Sequence, residues 1–378
     1  FLAAPDFIVG PQSDPASRNI LGLIKEVGIE IGKKVIDIRK RNRDIIRLIG
    51  SKACHPEGGL PGGVPRGITE EERKWIKQTA DDSVEFSRFA LKLFKDVAVN
   101  NKQNFSLILN DAYKLDTLYM GLVDENNRVS YYGGIIRVVD SQGKEFARFN
   151  PSEYAEHIGE WVEPWTYVRL THLKKIGWNG LKDGPGTSLY RVGPLARLNV
   201  ADGMATPLAQ QEYEFMFNTL GGKPAGNTLA YHWARLIEAL QAAETMQRIA
   251  GDPVLTSKDI RNMNLKLKKS GIGCVEAARG TLIHHYETDD RGMLTKANLI
   301  VATQHNAAPI CLSVKKAAQE FVKGPHVKEG MLNMVEMAFR AYDPCLACAT
   351  HSLPGAMPLI VNIREANGQI INTLTRGL

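Results

Sequence analysis

Between Asn19 and Leu48, apolar side chains recur at spacings of three, four and seven: Ile20, Leu23, Ile24, Val27, Ile31, Val35, Ile38, Ile45 and Leu48. That is the period of one helix face, and an amphipathic helix of this length draws its stability from a second element packed on the stripe. A partner of the same kind follows. Thr69-Glu70-Glu71-Glu72 has the form of a capping box and opens a helical stretch from about Glu70 to Val97. Lys33, Lys34, Arg39, Lys40, Arg41 and Arg43 crowd the later half of the first helix and read as a solvated face. Between the two helices, Cys54 to Pro65 is too rich in Gly and Pro for a regular element and matches no phosphate-loop pattern.

Further on the period shortens. Ile135, Ile136, Val138 and Val139, a turn at Ser141-Gln142-Gly143, then Phe146 and Phe149 read as a hairpin. From Pro151 to Gly203 the chain is aromatic and interrupted by Gly184-Pro185-Gly186 and Gly193-Pro194, so irregular structure packed on the helices is expected. Helical spacing returns at Gln210–Phe217 and Thr228–Ile249. Thr281 to Tyr286 reads as a strand, with a turn at Asp289–Gly292 and a partner at Asn298–Thr303. Gln319 to Arg340 is a last helical region. Leu359–Ile363 and Ile370–Leu374, joined through Asn367-Gly368, carry a hairpin signature. The fold class is therefore α+β, predominantly helical with small hairpins and sheets. There is no fixed-period repeat and no convincing linker.

Composition narrows the function. With 44% hydrophobic and 23% charged residues the chain has the means to build a large core. Its net charge of +6 comes without a long basic block, so no nucleic-acid partner is expected. Runs such as Leu299–Ala302 are far shorter than the roughly 20 residues a membrane span needs. Five cysteines are odd in number and sparse, which fits a reducing compartment, the cytoplasm, rather than a disulfide framework.

The chemistry concentrates in Asp343-Pro344-Cys345-Leu346-Ala347-Cys348-Ala349-Thr350-His351. Two thiols, an imidazole and a carboxylate within nine residues point to a metal, and thiolates favour zinc, copper(I), iron-sulfur or nickel. Spacing alone does not choose among these. A structural zinc site is one reading, with His351 or the distant Cys54, Cys274 or Cys311 completing it. Attachment of a c-type haem is disfavoured because His351 is not adjacent to Cys348, and a redox pair should begin a helix rather than follow one. Arg279, ahead of a buried strand, reads first as a surface or salt-bridged residue.

The same nine residues resemble the C-terminal signature of nickel-iron hydrogenase large subunits. Cys54-His55-Pro56 with Pro61–Val64, Gly193-Pro194-Leu195-Ala196-Arg197-Leu198-Asn199, Glu276–Gly280 with Leu282–Tyr286, and Asn298–Thr303 agree with it. The similarity spans nearly the whole chain and is closest to the cytoplasmic, viologen-reducing type that serves heterodisulfide reductase and does not reduce deazaflavin. The resemblance implies a large-subunit fold and reversible heterolytic cleavage of hydrogen at a nickel-iron centre with diatomic iron ligands. Cys345 would be a terminal nickel thiolate and first proton acceptor, Cys348 a bridging thiolate, and His351 a ligand of a nearby magnesium or similar ion. Arg279 would stand over the open metal position with Asp343 close by, and Thr303 would hydrogen-bond a diatomic iron ligand.

Implied partners are an iron-sulfur small subunit, further electron-transfer subunits, metal-insertion factors and a maturation protease cutting after His351. Residues 1–351 would then be one large-subunit domain and 352–378 an extension removed on maturation. The family's second cysteine pair and its proton-transfer glutamate, which lie near the N-terminus, do not occur here. With the start at Phe1, this leads us to expect a truncated sequence carrying half the metal thiolates and inactive alone. Ala278 stands where the family has proline, which loosens the entry to Arg279. The alternative is a non-catalytic relative, a complex I-like subunit or a zinc-stabilised assembly protein.

Overall fold

The computed structural model describes residues 4–345 and 359–376. After a short helix, α1 (Asp6–Val9), the run expected as one helix is two, α2 (Ile20–Val27) and α3 (Ile29–Gly50). Gly28 separates them at φ +93°, a conformation that side chains oppose, so the apolar period continues while the helix axis does not. The Gly/Pro segment is a loop as expected, pinned where Gly63 pairs with Arg261.

Thr69 then starts α4 (Glu70–Phe94). Its hydroxyl accepts from the Glu72 N–H at 3.2 Å while the Glu72 carboxylate accepts from the Thr69 N–H at 2.9 Å, the reciprocal capping box that the sequence predicts. A π-turn (Lys95–Val99) and α5 (Lys102–Leu109) follow. Next come β1 (Leu118–Val123), β2 (Ile135–Val139) and β3 (Glu145–Phe149). β2 and β3 form the expected hairpin, with Ile136 opposite Phe149. β1 is buried at every residue and so shows no alternation that would mark it in the sequence.

The stretch expected to be irregular holds short regular elements: α6 (Tyr154–His157), β4 (Ile158–Trp161), β5 (Leu170–Leu173), β6 (Tyr190–Arg191) and α7 (Pro194–Val200). Each is too short to display a period, but β4 and β5 pair through Trp161 opposite Leu170, and β6 extends the first sheet to the order β3-β2-β1-β6. Two helices follow, α8 (Pro207–Thr219) and α9 (Tyr231–Gly251). Trp233 of α9 is fully buried with its ring centroid 5.7 Å from that of Phe94 on α4. Truncating a side chain of that size at such a site costs about 3–5 kcal/mol.

A second sheet is built from β7 (Ser270–Ala277), β8 (Gly280–Thr288) and β9 (Leu294–Ile300), with Ile283 opposite Ile300 as the strand pairing predicts. Thr303 lies beyond that strand, on α10 (Ala302–His305). The last helical region is two helices, α11 (Ala307–Phe321) and α12 (Glu329–Arg340), with Gly324 at φ +74° and Pro325 between them. The predicted C-terminal hairpin is β10 (Leu359–Arg364) with β11 (Ile370–Arg376). Among the described residues no helix is long and apolar enough to cross a membrane.

Candidate metal centre

Beyond α12 the chain turns through Tyr342, which is buried with its ring 4.9 Å from that of Tyr231 and its hydroxyl 2.9 Å from the Ser313 hydroxyl. Asp343 follows at φ +54°, a left-handed conformation that Asp tolerates better than most side chains. Arg235 Nη2 donates to the Ala341 carbonyl at 2.8 Å. The residue that introduces the cysteine motif is thus fixed from the core outward.

Onto this segment converge side chains from two distant places. Arg279, at the corner between β7 and β8, donates from Nε to the Asp343 main-chain carbonyl at 2.6 Å, and the same atom is 3.3 Å from Asp343 Oδ2. Their side chains are 39% and 36% exposed, so the ion pair itself is worth at most about 1 kcal/mol and its consequence is orientation. The Thr303 hydroxyl accepts from the Cys345 N–H at 3.3 Å, which leaves its own O–H available to donate. A guanidinium and a carboxylate therefore meet at Asp343 and a hydroxyl at Cys345, within the three residues that lead up to the first thiol. Cys348 and His351 lie outside the described residues.

The other cysteines behave differently. Cys54 is exposed on the Gly/Pro loop, while Cys274 and Cys311 are half-buried in β7 and α11. Burial pushes the Cys274 thiol up to about 12 and raises that of Cys311, whereas a metal ligand must be deprotonated. Among the described residues no three His, Cys, Asp or Glu side chains gather into a metal cage. The donor chemistry at Cys345 fits a thiolate-bound transition metal, with a guanidinium held two residues upstream at Asp343; a complete cage needs donors beyond the described residues.

One cluster behind the corner was not apparent in the sequence. Arg197 of α7 is 1% exposed, and its guanidinium contacts Glu238 through Nε and Nη2 at 2.5 and 2.6 Å and Glu276 through Nη1 at 2.7 Å. Burial opposes its charge, but the two carboxylates hold its pKa above the ordinary arginine value; burial likewise pushes the Glu276 carboxyl up despite that contact. The signal available in the sequence was a lone cation within Pro194-Leu195-Ala196-Arg197-Leu198-Asn199-Val200, a helix in which every residue is buried.

Comparisons with known proteins identify the family. A family profile described as nickel-dependent hydrogenase matches residues 109–351. An iron-sulfur subunit of the F420-non-reducing hydrogenase of Archaeoglobus profundus is 46% identical over 374 residues, covering 99% of this chain and 77% of its own length. The NAD-reducing hydrogenase HoxS subunit beta of Cupriavidus necator is 34% identical over 390 residues, covering 100% and 76%. The crystal structure of an NAD+-reducing nickel-iron hydrogenase in the H2-reduced state superposes with a TM-score of 0.85 at 34% identity, over 93% of this chain and 75% of that one. On these matches the chain belongs to the nickel-dependent hydrogenase family, as a large subunit.

Proposed function

We propose that Cys345 and Cys348 are thiolate ligands of a nickel-iron centre at which hydrogen is reversibly and heterolytically cleaved. The observation that carries this reading is the convergence of Arg279 and Thr303 on the segment Asp343–Cys345, Arg279 at Asp343 from 64 positions away in the chain and Thr303 at Cys345 from 42. When bound, the centre supplies the two-electron chemistry of the reaction, in which one H2 yields two protons and two electrons.

The chain's own residues handle charge and protons. Cys345 Sγ is the first proton acceptor, a role suited to a thiolate. The guanidinium of Arg279 supplies a fixed cation at the reacting position, and Asp343 holds it there through the carbonyl and carboxylate contacts. Thr303 anchors the Cys345 amide and offers its O–H to a diatomic ligand of the iron. His351 binds a magnesium or similar ion, and residues 352–378 are removed after metal loading.

Electrons leave to an iron-sulfur small subunit, since the chain has too few cysteines to carry clusters of its own. The acceptor beyond it is set by further partner proteins. The relatives differ by name on this point, one F420-non-reducing and one NAD-reducing. The sparse cysteines support a cytoplasmic setting.

Elemental analysis of the gene product co-expressed with maturation factors and its partner subunit should find nickel and iron; zinc without them refutes the reading. Cys345→Ser in the same preparation should abolish hydrogen turnover, and retained turnover would refute its role as ligand.

A further inference from the structure

Arg279 sits on a hairpin corner that lacks the usual backbone of a two-residue connection. Ala277 pairs with Gly280, so Ala278 and Arg279 form a two-residue connection between β7 and β8. Such connections ordinarily use positive φ at one or both central residues, which matches the twist of the strands they join. Here neither Ala278 nor Arg279 has positive φ; the unusual angle falls on Gly280, at +142°. A corner outside the favoured turn types gains a fixed direction from an external hold.

That hold comes from α7. Besides its carboxylate contacts, Arg197 donates from Nη1 to the Ala277 carbonyl at 2.9 Å and from Nη2 to the Ala278 carbonyl at 3.2 Å. A guanidinium has five N–H donors in a rigid fork, and all five are now assigned: two to Glu238, one to Glu276 and two to the carbonyls of the residues directly before Arg279. Glu276 is itself locked, accepting from the Leu122 N–H at 3.0 Å and the Thr281 hydroxyl at 2.8 Å through Oε1. On the other side of the corner, a Cβ on Gly280 would lie 2.4 Å from Val192 Cγ2, and one on Gly193 would lie 2.7 Å from the Arg279 carbonyl oxygen. Asn306 fixes Val192 through both its main-chain groups, at 3.0 and 3.1 Å.

We infer that Arg197 is a positioning residue that aims Arg279 at the candidate metal centre by clamping the Ala277 and Ala278 carbonyls. The inference rests on the role proposed above for Arg279. It also accounts for how a corner with Ala278, and no ring to stiffen it, keeps a fixed direction. A purely structural Arg197 would instead neutralise Glu238 and Glu276 without governing the corner.

The test uses R197K, because a lysine keeps the positive charge near both glutamates but cannot span five acceptors. In the metal-free chain, hydrogen exchange at residues 278–280 should accelerate about tenfold or more while amides of α7 and α9 change little. In the loaded enzyme with its partner subunit, turnover should fall about tenfold or more, and R197K with R279K should be no slower than R279K alone. Unchanged exchange at the corner, or a loss that multiplies with that of R279K, overturns the inference. Full turnover in R279K sinks the role of Arg279 instead, and the exchange result still decides whether Arg197 holds the corner. If R197K fails to fold, E238Q carries the same measurements, since it keeps the guanidinium and removes one carboxylate anchor.

Discussion

Replacing Gly193 by alanine should disturb the site without touching any proposed ligand. Gly193 has φ +96° and ψ −168°, a region in which a side chain costs about 1–3 kcal/mol. The new Cβ would lie 2.7 Å from the Arg279 carbonyl oxygen, with Tyr231 Cε1 at 3.4 Å closing the other approach. The carbonyl would have to retreat by roughly 0.7 Å to reach ordinary contact. It cannot do so freely, because the two carbonyls before it are held by Arg197. Forced overpacking of this kind adds about 1–3 kcal/mol, for a total loss of about 2–6 kcal/mol. Urea denaturation measures it, with Gly186→Ala as the control: Gly186 also has positive φ, +76°, but nothing lies within 4 Å of its added Cβ. The difference between the two variants isolates the collision. If Gly193→Ala is no less stable than Gly186→Ala, the close approach of α7 to Arg279 is not what the geometry says it is.

Stability should also depend on pH through His305. It is fully buried, its Nδ1 lies 2.6 Å from the Tyr190 hydroxyl, and burial pulls its pKa down to about 3 from an ordinary value of 6.5. Between those values the unfolded chain binds a proton that the folded chain does not, so this contribution is complete above pH 6.5 and is lost as pH falls. Unfolding free energies from urea titrations at pH 7 and pH 5 should differ by about 2 kcal/mol from this group, and His305→Gln should remove that part of the difference; an identical pH dependence in the variant contradicts the assignment. Thr69→Ala should cost about 1 kcal/mol by opening the capping box of α4, and a change below a few tenths would mean that the helix start is held by tertiary packing alone.

Local chemistry was legible in the sequence wherever a residue acts on near neighbours. Thr69 and Glu72 are three apart, and Asn367-Gly368 closes its own hairpin, so both features could be read directly. The helix break at Gly28 was hidden because the apolar period runs through it, and β1 was hidden because a strand covered on both faces does not alternate. At the site, a metal was indicated by the clustered thiols, but the pairing of Arg279 with Asp343 and of Thr303 with Cys345 depends on contacts spanning 64 and 42 residues. The buried cluster at Arg197 draws on Glu238 and Glu276, 41 and 79 residues away, and charged residues read by default as surface. Only the fold reveals that this arginine is buried.

Asp6 gives the chain a constraint in time. It is buried on α1, where Asn333 Nδ2 donates to it at 2.7 Å and Arg340 Nη1 at 2.9 Å, contacts that span 327 and 334 residues. Arg340 is the last residue of α12, three before Asp343. Loops of that size close slowly, because the entropy of bringing the ends together is spent before any contact rewards it. On a ribosome, α1 would have to wait until α12 had emerged before its carboxylate found a partner. The helix that leads into Cys345 is thus tied to α1 by contacts that form only once the intervening chain has been made.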